Sequence, residues 1–478
     1  MSSLKEKTVK GVVWSSIDRF SSQGISFVFS MLIARMLMPS DYGVVAMLGI
    51  FMAVSGCFID SGFGTALVRK IDRTETDFST VFYFNIVVAI LFYGLLWLVS
   101  PYIADFYDLP ILEDVTKVMS LNLIIGALGG IQGAKLSIAI DFKTSAKISV
   151  ITTVFTGFVG LLLAYKGYGV WALVFQGLSS NILRTLLLWG YVKWRPQWLF
   201  SWKSFHEMFS YGSKMLASSL LDTIYNNIYT IVIGKCFNSA ALGVYSRADG
   251  LAQFPSSNIT RVIQNVTFPV LSSIQNDEER LAVGYMKLLR LSAFIIFPMM
   301  VGLAAVADPF IRLVLTDKWE ESIYYLQILC FAMMWYPIHA INLSLLMAKG
   351  RSDYFLKLEV IKKIQGVIVL CVTIPLGLVA MCYGRIVSSL ISLVWNTYYT
   401  KKIIGYGYAQ QMKGLIHILL HSFVMGSIVF GVVCMLPNLW LKLIVGVMAG
   451  MVYYIAGAYL MKFEEMQELL LILKRKLI

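Results

Sequence analysis

The sequence predicts an all-α membrane protein with 14 transmembrane helices, arranged as two parallel six-helix lobes followed by two extra C-terminal helices. Three observations predict this fold. Of the 478 residues, 58% are hydrophobic and only 14% are charged, with a mean hydropathy of +0.73, whereas soluble domains are roughly 45–50% apolar and about 25% charged. About fourteen apolar segments are long enough to cross a hydrocarbon layer ~30 Å thick. In addition, the polar pattern of the first segment returns 200 residues later.

The fourteen segments are separated by short connections, of which the longest run about fifteen residues. None of these connections could hold a soluble domain, so the function must be carried out within or beside the membrane. The seventh and eighth segments contain the most polar residues. In chain order, the segment centres lie near Ile25, Phe51, Ala89, Ile125, Phe158, Gly177, Leu221, Phe254, Pro298, Met333, Val369, Ser389, Val424 and Gly450.

Basic residues are concentrated in alternate connections and at both ends of the chain. Lys143 and Lys147 lie in one such connection, and Lys401 and Lys402 in another, whereas the connections between them are poor in Lys and Arg or acidic, as over residues 105–114. Because cytoplasmic loops carry the excess of Lys and Arg, both termini are predicted to be cytoplasmic. The net charge of +13 therefore indicates orientation in the membrane, and no nucleic-acid partner is expected.

An internal repeat divides the chain. The first segment carries a polar stripe at helical spacing, and adding 200 to its positions from Arg19 onward leads to Ser219, Asp222, Thr223, Asn226 and Thr230. Further matches occur at an offset of 208, such as Gly169-Val170 with Gly377-Leu378. Six spans are thus followed by six related spans, which enter the membrane from the same side as parallel repeats. Polar stripes kept in both halves indicate a water-filled path, as in transporters.

This repeat predicts four parts of the chain. Residues 1–200 form the N-terminal lobe and residues 201–405 form the C-terminal lobe. Residues 406–461 contain spans thirteen and fourteen, which have no counterpart in the first half. Residues 462–478 form an amphipathic tail, expected on the inner membrane surface or as a solvated helix end.

The eighth span carries a cationic face. On an α-helix the positions 11, 14 and 18 residues after Arg247 rotate to within about 40° of it, and they hold Asn258, Arg261 and Asn265. A charge at the centre of a membrane helix costs ~2.5–3.5 kcal/mol, which favours a face toward a cavity over one toward lipid. Such a face could seat a phosphate. The alternative is that these arginines pair within the protein with a carboxylate of Asp249, Asp222 or Asp60.

The sequence offers candidates for ion coupling but no motif for metal or nucleotide binding. Asp60, Asp222 and Asp249 are candidate proton or sodium sites, since desolvated carboxylates titrate near neutral pH. The six cysteines are dispersed, His417 and His421 lack a partner at metal-ligand spacing, and there is no GxxxxGK[ST] motif. No metal or cofactor is therefore expected.

Several short motifs resemble a known family. The runs LIARMLMPSDYG at residues 32–43, DSGFGTALVR at residues 60–69 and FPVLS at residues 268–272 are similar to those of polysaccharide flippases. These Wzx-type proteins form a branch of the multidrug/oligosaccharidyl-lipid/polysaccharide (MOP) exporter superfamily. The resemblance extends over essentially the whole chain, including its plan of six, six and two helices.

The resemblance implies transport of undecaprenyl-diphosphate-linked oligosaccharides from the inner to the outer leaflet of the bacterial cytoplasmic membrane, for O-antigen, capsule or exopolysaccharide. It also implies alternating access without bond making, hence no enzyme activity, and the polysaccharide polymerase machinery as a partner. Arg19, Arg247 and Arg261 would then hold the diphosphate. The further lumen positions expected to bind substrate are Gln23, Asn226, Asn258 and Asn265.

Two alternatives remain open at the level of sequence. One is a drug/cation antiporter of the same superfamily, although a cationic lumen would repel cationic drugs. The other is a membrane glycosyltransferase or polymerase, for which the acidic pair Asp105 and Asp108 is the only evident candidate. Without a large external domain to hold an acceptor, these two residues are more typical of an ordinary acidic loop.

Overall fold

The computed structural model describes residue 14 and residues 21–477. All regular structure in these residues is helical, and no strand occurs among them. The prediction of an all-α polytopic membrane fold is therefore confirmed at this level. The chain forms two compact units, Met1–Gly243 and Val244–Ile478.

The first unit is built from long helices interrupted by two short ones. The hydrophobic cluster around Phe63, Phe82, Ile131 and Trp194 joins several of them. In chain order its helices are α1 (residues 21–36 of the described part), α2 (Pro39–Asp60), α3 (Phe63–Arg69), α4 (Glu75–Tyr107), α5 (Ile111–Met119), α6 (Leu121–Ile138), α7 (Phe142–Tyr165), α8 (Val170–Tyr191) and α9 (Trp202–Cys236).

The second unit continues from α10, whose first residues belong to the first unit. Short 3-10 turns lie at Asp317–Trp319 and Ile374–Leu376. The helices in chain order are α10 (Ser239–Ser273), α11 (Glu278–Ala305), α12 (Ala307–Val314), α13 (Glu321–Met333), α14 (Tyr336–Ala348), α15 (Ser352–Thr373), α16 (Leu378–Ile404), α17 (Tyr408–Met435), α18 (Leu439–Leu460) and α19 (Glu464–Leu477).

Within the described residues, 8 helical segments are long and apolar enough to cross a membrane. They comprise α2 with α3, α4, α7, α11, α13 with α14, α16, α17 and α18. Each of the fourteen predicted span centres lies on a helix, but six of these helices are not among the eight segments: α1, α6, α8, α9, α10 and α15. Of these, α9, α10 and α15 carry many polar or charged side chains that lower their hydropathy. The total of fourteen spans therefore stays a prediction.

Helix boundaries follow the internal repeat. The helical residues of α1 end at 36 and α9 ends at Cys236, while α2 begins at Pro39 and α10 at Ser239, so both pairs are 200 residues apart. Farther along the chain, α7 ends at Tyr165 and α15 at Thr373, which are 208 residues apart. The repeat in sequence is therefore also a repeat of helices and turns. The predicted boundary at residues 200 and 201 stays a prediction.

The first turns of α2 and α10 meet through two glycines that are themselves 200 residues apart. A Cβ added to Gly43 would overlap the backbone carbonyl oxygen of Ser239, and one added to Gly243 would overlap that of Pro39. The contact is thus reciprocal: Gly43 of α2 faces the first residue of α10, and Gly243 of α10 faces the first residue of α2. Only glycine allows backbones to approach this closely.

A second close approach lies at the break between α2 and α3. Ser61 and Gly62 have positive φ angles of 42° and 70°, which end α2 and redirect the chain into α3. A Cβ on Gly62 would lie 2.9 Å from Cβ of Met215 and 3.1 Å from Cα of Gly212 on α9. This break, in the middle of the DSGFG motif, lets α9 pack against the turn.

Candidate functional site

The helix α10 has two opposite faces. Ser256, Thr260 and Thr267 are buried, and at 100° per residue they lie within about 40° of one another. The Ser256 hydroxyl donates to the carbonyl oxygen of Met333, over 2.8 Å, and so ties this face to α13. The predicted cationic stripe lies about 140–200° from Ser256, on the opposite side of the helix.

Arg261 is an exposed member of this stripe. It makes no hydrogen bond or ion pair with the residues that the structure describes. The alternative in which Arg261 pairs with Asp249 is not what the structure shows, because Asp249 contacts a different arginine. The guanidinium of Arg261 is therefore available to a ligand.

Arg247 has a different environment from Arg261. It is half-buried, and its guanidinium carbon lies 5.8 Å from the centre of the Trp319 ring, which is fully buried. The helix is continuous between the two arginines, through Pro255. Fourteen residues of α-helix rise about 21 Å. The two arginines therefore share a face but lie at well-separated depths.

The stripe also carries two amides: Asn258 lies between the two arginines, and Asn265 lies beyond Arg261. Asn258 is half-buried and donates from Nδ2 to the carbonyl oxygen of Phe254, over 2.8 Å, within its own helix. Asn265 is exposed, one turn beyond Arg261. Of the two, Asn265 is the more available to contact a ligand beside Arg261.

The related stripe of the first unit is only partly described. Arg19 lies outside the described residues, while Gln23 on α1 is half-buried. On α9, Asn226 and Asp222 are exposed, and Thr223 contacts Cys57 of α2 with 3.2 Å between Oγ1 and Sγ. The α9 stripe thus has one member that packs against α2 and others that remain accessible.

The three candidate coupling carboxylates occupy different environments. Asp60 is exposed at the last position of α2, directly before the left-handed turn. Asp222 is exposed on α9. Asp249, on α10, is in ion-pair contact with Nη1 of Arg385. The carboxylate of Asp249 is therefore already neutralised by a cation within its own unit.

Arg385 is a charged residue that the sequence analysis missed. It lies on α16, its side chain is 19% exposed, and its Nη1 also donates to the hydroxyl oxygen of Tyr245 over 2.8 Å. Tyr245 and Asp249 are one turn apart on α10, so a single guanidinium ties α16 to that helix. An arginine inside the apolar run MCYGRIVSS was the available signal, because such a charge requires a partner.

Histidine packing in the second unit is structural. His339 of α14 lies 3.0 Å from the Ser389 hydroxyl through Nε2 and 3.0 Å from Asn396 Nδ2 through Nδ1, both on α16. Nearby, the Tyr285 hydroxyl donates to Oδ1 of Asn342 over 2.9 Å. No group of three or more His, Cys, Asp or Glu side chains within the described residues could hold a metal ion.

Comparison with known proteins identifies relatives of this chain. The family described as "Polysaccharide biosynthesis protein" matches residues 32–324. TuaB, a teichuronic acid biosynthesis protein of Bacillus subtilis, is 26% identical over 74% of this chain and 74% of its own length. WzxC, a lipopolysaccharide biosynthesis protein of Escherichia coli, is 26% identical over 86% of this chain and 85% of its own. ExoT, a succinoglycan biosynthesis transport protein of Rhizobium meliloti, is 24% identical over 66% of this chain and 64% of its own.

Solved structures share the fold. The lipid II flippase MurJ, in an inward closed conformation, matches with a TM-score of 0.77 and 15% identity over 94% of this chain and 99% of MurJ. An inward-facing multidrug resistance MATE family transporter of the MOP superfamily matches with a TM-score of 0.62 and 14% identity over 82% and 98% of the two chains. These matches agree with the resemblance to the MOP exporters. Since the family match spans more than half of its length, the chain belongs to the polysaccharide biosynthesis protein family.

Proposed function

We propose that this protein moves undecaprenyl-diphosphate-linked oligosaccharide units from the inner to the outer leaflet of the bacterial cytoplasmic membrane, by alternating access, for the synthesis of a surface polysaccharide. The observation that carries this proposal is the family match over residues 32–324. WzxC and TuaB are named for the biosynthesis of lipopolysaccharide and teichuronic acid, and ExoT is named as a transport protein.

The exposed face of α10 supports an anionic substrate. Arg261 presents an unpaired guanidinium beside the exposed amide of Asn265, and a guanidinium binds phosphate with two charge-assisted hydrogen bonds. Because Arg247 lies about 21 Å away along the helix, it cannot grip the same diphosphate at the same time. The two arginines therefore act at successive positions of the substrate, with Arg19 and the amides Gln23, Asn226 and Asn258 as further lumen contacts.

Two observations disfavour the drug/cation antiporter and the glycosyltransferase, one for each alternative. An exposed arginine at the binding face would repel the cationic drugs of an antiporter. A glycosyltransferase would need an acid or base next to an acceptor, yet Asp108 forms an ion pair with Lys235, over 3.1 Å, at the end of α4. We therefore propose a transporter without enzyme activity, so the lipid-linked glycan should leave the protein with its mass unchanged.

The polyprenyl chain would stay in the lipid, beside spans thirteen and fourteen. These spans correspond to α17 and α18, whose outer faces carry many exposed apolar side chains. Examples are Leu420 and Phe430 on α17, and Met448 and Val452 on α18. Such apolar faces need no polar partner, so an isoprenoid chain can move past them while it stays in the lipid.

The membrane potential can supply part of the driving force. An inside-negative potential favours outward movement of an anion by ~2.3 kcal/mol per charge per 100 mV. Asp60, which lies at the end of α2, and Asp222 on α9 are candidates for binding a proton or sodium ion that resets the empty carrier. Asp249 is a weaker one, because Arg385 already neutralises it.

The test is export of polysaccharide in cells that lack the native gene. Wild-type protein should restore surface polysaccharide, whereas Arg261→Ala should reduce it by about tenfold or more, since two charge-assisted bonds are lost. Arg261→Lys keeps the charge but loses the fork, so it should retain partial activity. Surface polysaccharide, its lipid-linked precursor and the membrane abundance of each variant would be measured together.

The matched control is Arg280→Ala. Arg280 has a side chain that is 80% exposed and pairs with Asp277, the N-cap residue directly before α11, so its loss should leave export unchanged. Normal export by both Arg247→Ala and Arg261→Ala would falsify the cationic binding face. Failure of the wild-type protein to restore export would contradict the proposed function itself.

A further inference from the structure

A charged cavity of the second unit lies at the edge of the membrane-spanning helices. It has a volume of about 610 Å³ and is lined by residues of α11, α17 and α19 and by Tyr406. The spans α11 and α17 begin at Glu278 and Tyr408, and α18 ends at Leu460, just before α19. These ends place the cavity at the level of lipid headgroups. Its charged lining consists of Lys287, Arg290, Lys413, Glu464, Glu465 and Glu468.

Two of the cations are paired with the tail helix α19. Lys287 Nζ lies 2.6 Å from Oε1 of Glu468, and Arg290 Nη1 lies 3.0 Å from Oε2 of Glu464. The third cation, Lys413 of α17, is exposed and forms no ion pair with any residue in the described part of the chain. The cavity therefore retains one available positive charge.

One carboxylate is incompletely satisfied. Glu465 is only 3% exposed, and its Oε1 lies 3.6 Å from Nε2 of His417, which is beyond hydrogen-bond distance. Its Oε2 has no hydrogen-bond partner among the described residues, and neither does the buried Nε of Arg290. Buried polar atoms are almost always paired, so both atoms point to a ligand that brings a donor and an acceptor.

We propose that this cavity binds the headgroup of a phospholipid that carries both a phosphate and a primary ammonium, as in phosphatidylethanolamine. The phosphate contacts Lys413 and Nε of Arg290, and the ammonium donates to Oε2 of Glu465. Val283, which lines the cavity and is 59% exposed, provides the apolar edge along which an acyl chain leaves. A quaternary ammonium has no N–H to donate, and a purely anionic lipid brings no cation to neutralise the carboxylate of Glu465.

The bound headgroup would join the tail to the spans. Phe463, directly before α19, packs its ring 5.1 Å from that of His417 and 5.3 Å from that of His421, both on α17. Together with the two ion pairs to α11, these contacts fix α19 around the cavity. The lipid adds a further link between α17 and α19 through Lys413 and Glu465.

The test uses the full-length purified protein, with binding read by native mass spectrometry and thermal unfolding. After removal of lipid, phosphatidylethanolamine should bind more tightly than phosphatidylcholine or phosphatidylglycerol of the same acyl chains. Glu465→Gln should weaken phosphatidylethanolamine binding by about tenfold, the value of one charge-assisted hydrogen bond, and abolish the preference over phosphatidylcholine. Lys413→Ala, at an exposed position, should weaken binding of all three lipids.

The matched control is Glu359→Gln, on α15, where the carboxylate pairs with Lys362 away from this cavity. It should leave lipid binding unchanged. Equal binding of phosphatidylethanolamine and phosphatidylcholine to the wild-type protein, or an unchanged preference in Glu465→Gln, would overturn the proposal. So would binding of soluble glycerophosphoethanolamine as tight as that of the lipid, which would assign the cavity to a free ligand. Because no transport is measured, these outcomes are independent of the proposed function.

Discussion

At the scale of single residues, Arg385 changes the role expected for Asp249. The ion pair joins α16 to α10, with side chains 19% and 26% exposed, and the guanidinium also binds the Tyr245 hydroxyl. A charge within a span is tolerated when it is paired. We therefore interpret Asp249 as part of a structural link between helices, whereas the exposed Arg261 is a ligand-binding residue.

Removing one partner of this link should destabilise the protein. Arg385→Ala leaves the carboxylate of Asp249 without its cation, at a cost of about 1–3 kcal/mol. The double variant with Asp249→Ala should be more stable than the two single effects predict, because neither charge is then left alone. Thermal unfolding of the purified variants measures both quantities.

A surface pair provides the comparison for this cycle. Arg351 and Asp353 lie two residues apart at the start of α15 and are 42% and 48% exposed, so Arg351→Ala should change the unfolding temperature little. If the Arg385 and Asp249 variants gave strictly additive effects, the interpretation as a mutually dependent pair would be wrong.

At the scale of helices, the contact between α2 and α10 depends on the absence of two side chains. Gly43 and Gly243 each face the first residue of the other helix, and both positions would place a Cβ onto a backbone carbonyl. Backbone cannot move aside as a flexible side chain can. The two first turns must therefore separate if either glycine is replaced.

Gly43→Ala and Gly243→Ala should each lower stability by about 1–3 kcal/mol through overpacking, and should impair export because the helices are displaced. Gly49→Ala, on the same helix, is the control. No atom lies within 4 Å of a Cβ at that position, and alanine favours a helix over glycine by ~1 kcal/mol. Unfolding temperature and export would be compared across the three variants, and equal behaviour of Gly43→Ala and Gly49→Ala would refute the close contact.

At the scale of the whole molecule, two cations of the predicted outer connections, Lys235 and Arg312, are neutralised locally. Lys235 pairs with Asp108 over 3.1 Å. Arg312 contacts Asp308, Asp317 and Glu320, and its hydrogen bonds to these carboxylates, first of all to Asp308, raise the pKa of its guanidinium. Paired cations do little to oppose the excess of Lys and Arg on the other side. The predicted orientation is therefore consistent with these two apparent exceptions.

This orientation predicts the result of reporter fusions. Fusions at Asp108 and Asp317 should report the outside, and fusions at Lys143 and Lys402 should report the cytoplasm, since positive loops remain inside. A reporter active only in the periplasm, with one active only in the cytoplasm at the same sites, gives two independent measurements. An inverted pattern at any two sites would contradict both cytoplasmic termini and the even number of spans.

The sequence by itself determined the fold class and the family, because both depend on information that is linear along the chain. Composition identifies a membrane protein, and the offset of 200 residues predicts matching helix boundaries such as Pro39 and Ser239. It also identified the stripe of Arg261, since helical periodicity alone decides which residues share a face.

Only the tertiary structure decided which charged groups meet. Asp249 and Arg385 are 136 residues apart, and nothing local in either segment specifies the partner. The same is true of the cavity around Glu465, which is lined by residues of α11, α17 and α19. The physical reason is that pairing depends on helix packing, which brings together side chains whose spacing along the chain has no period.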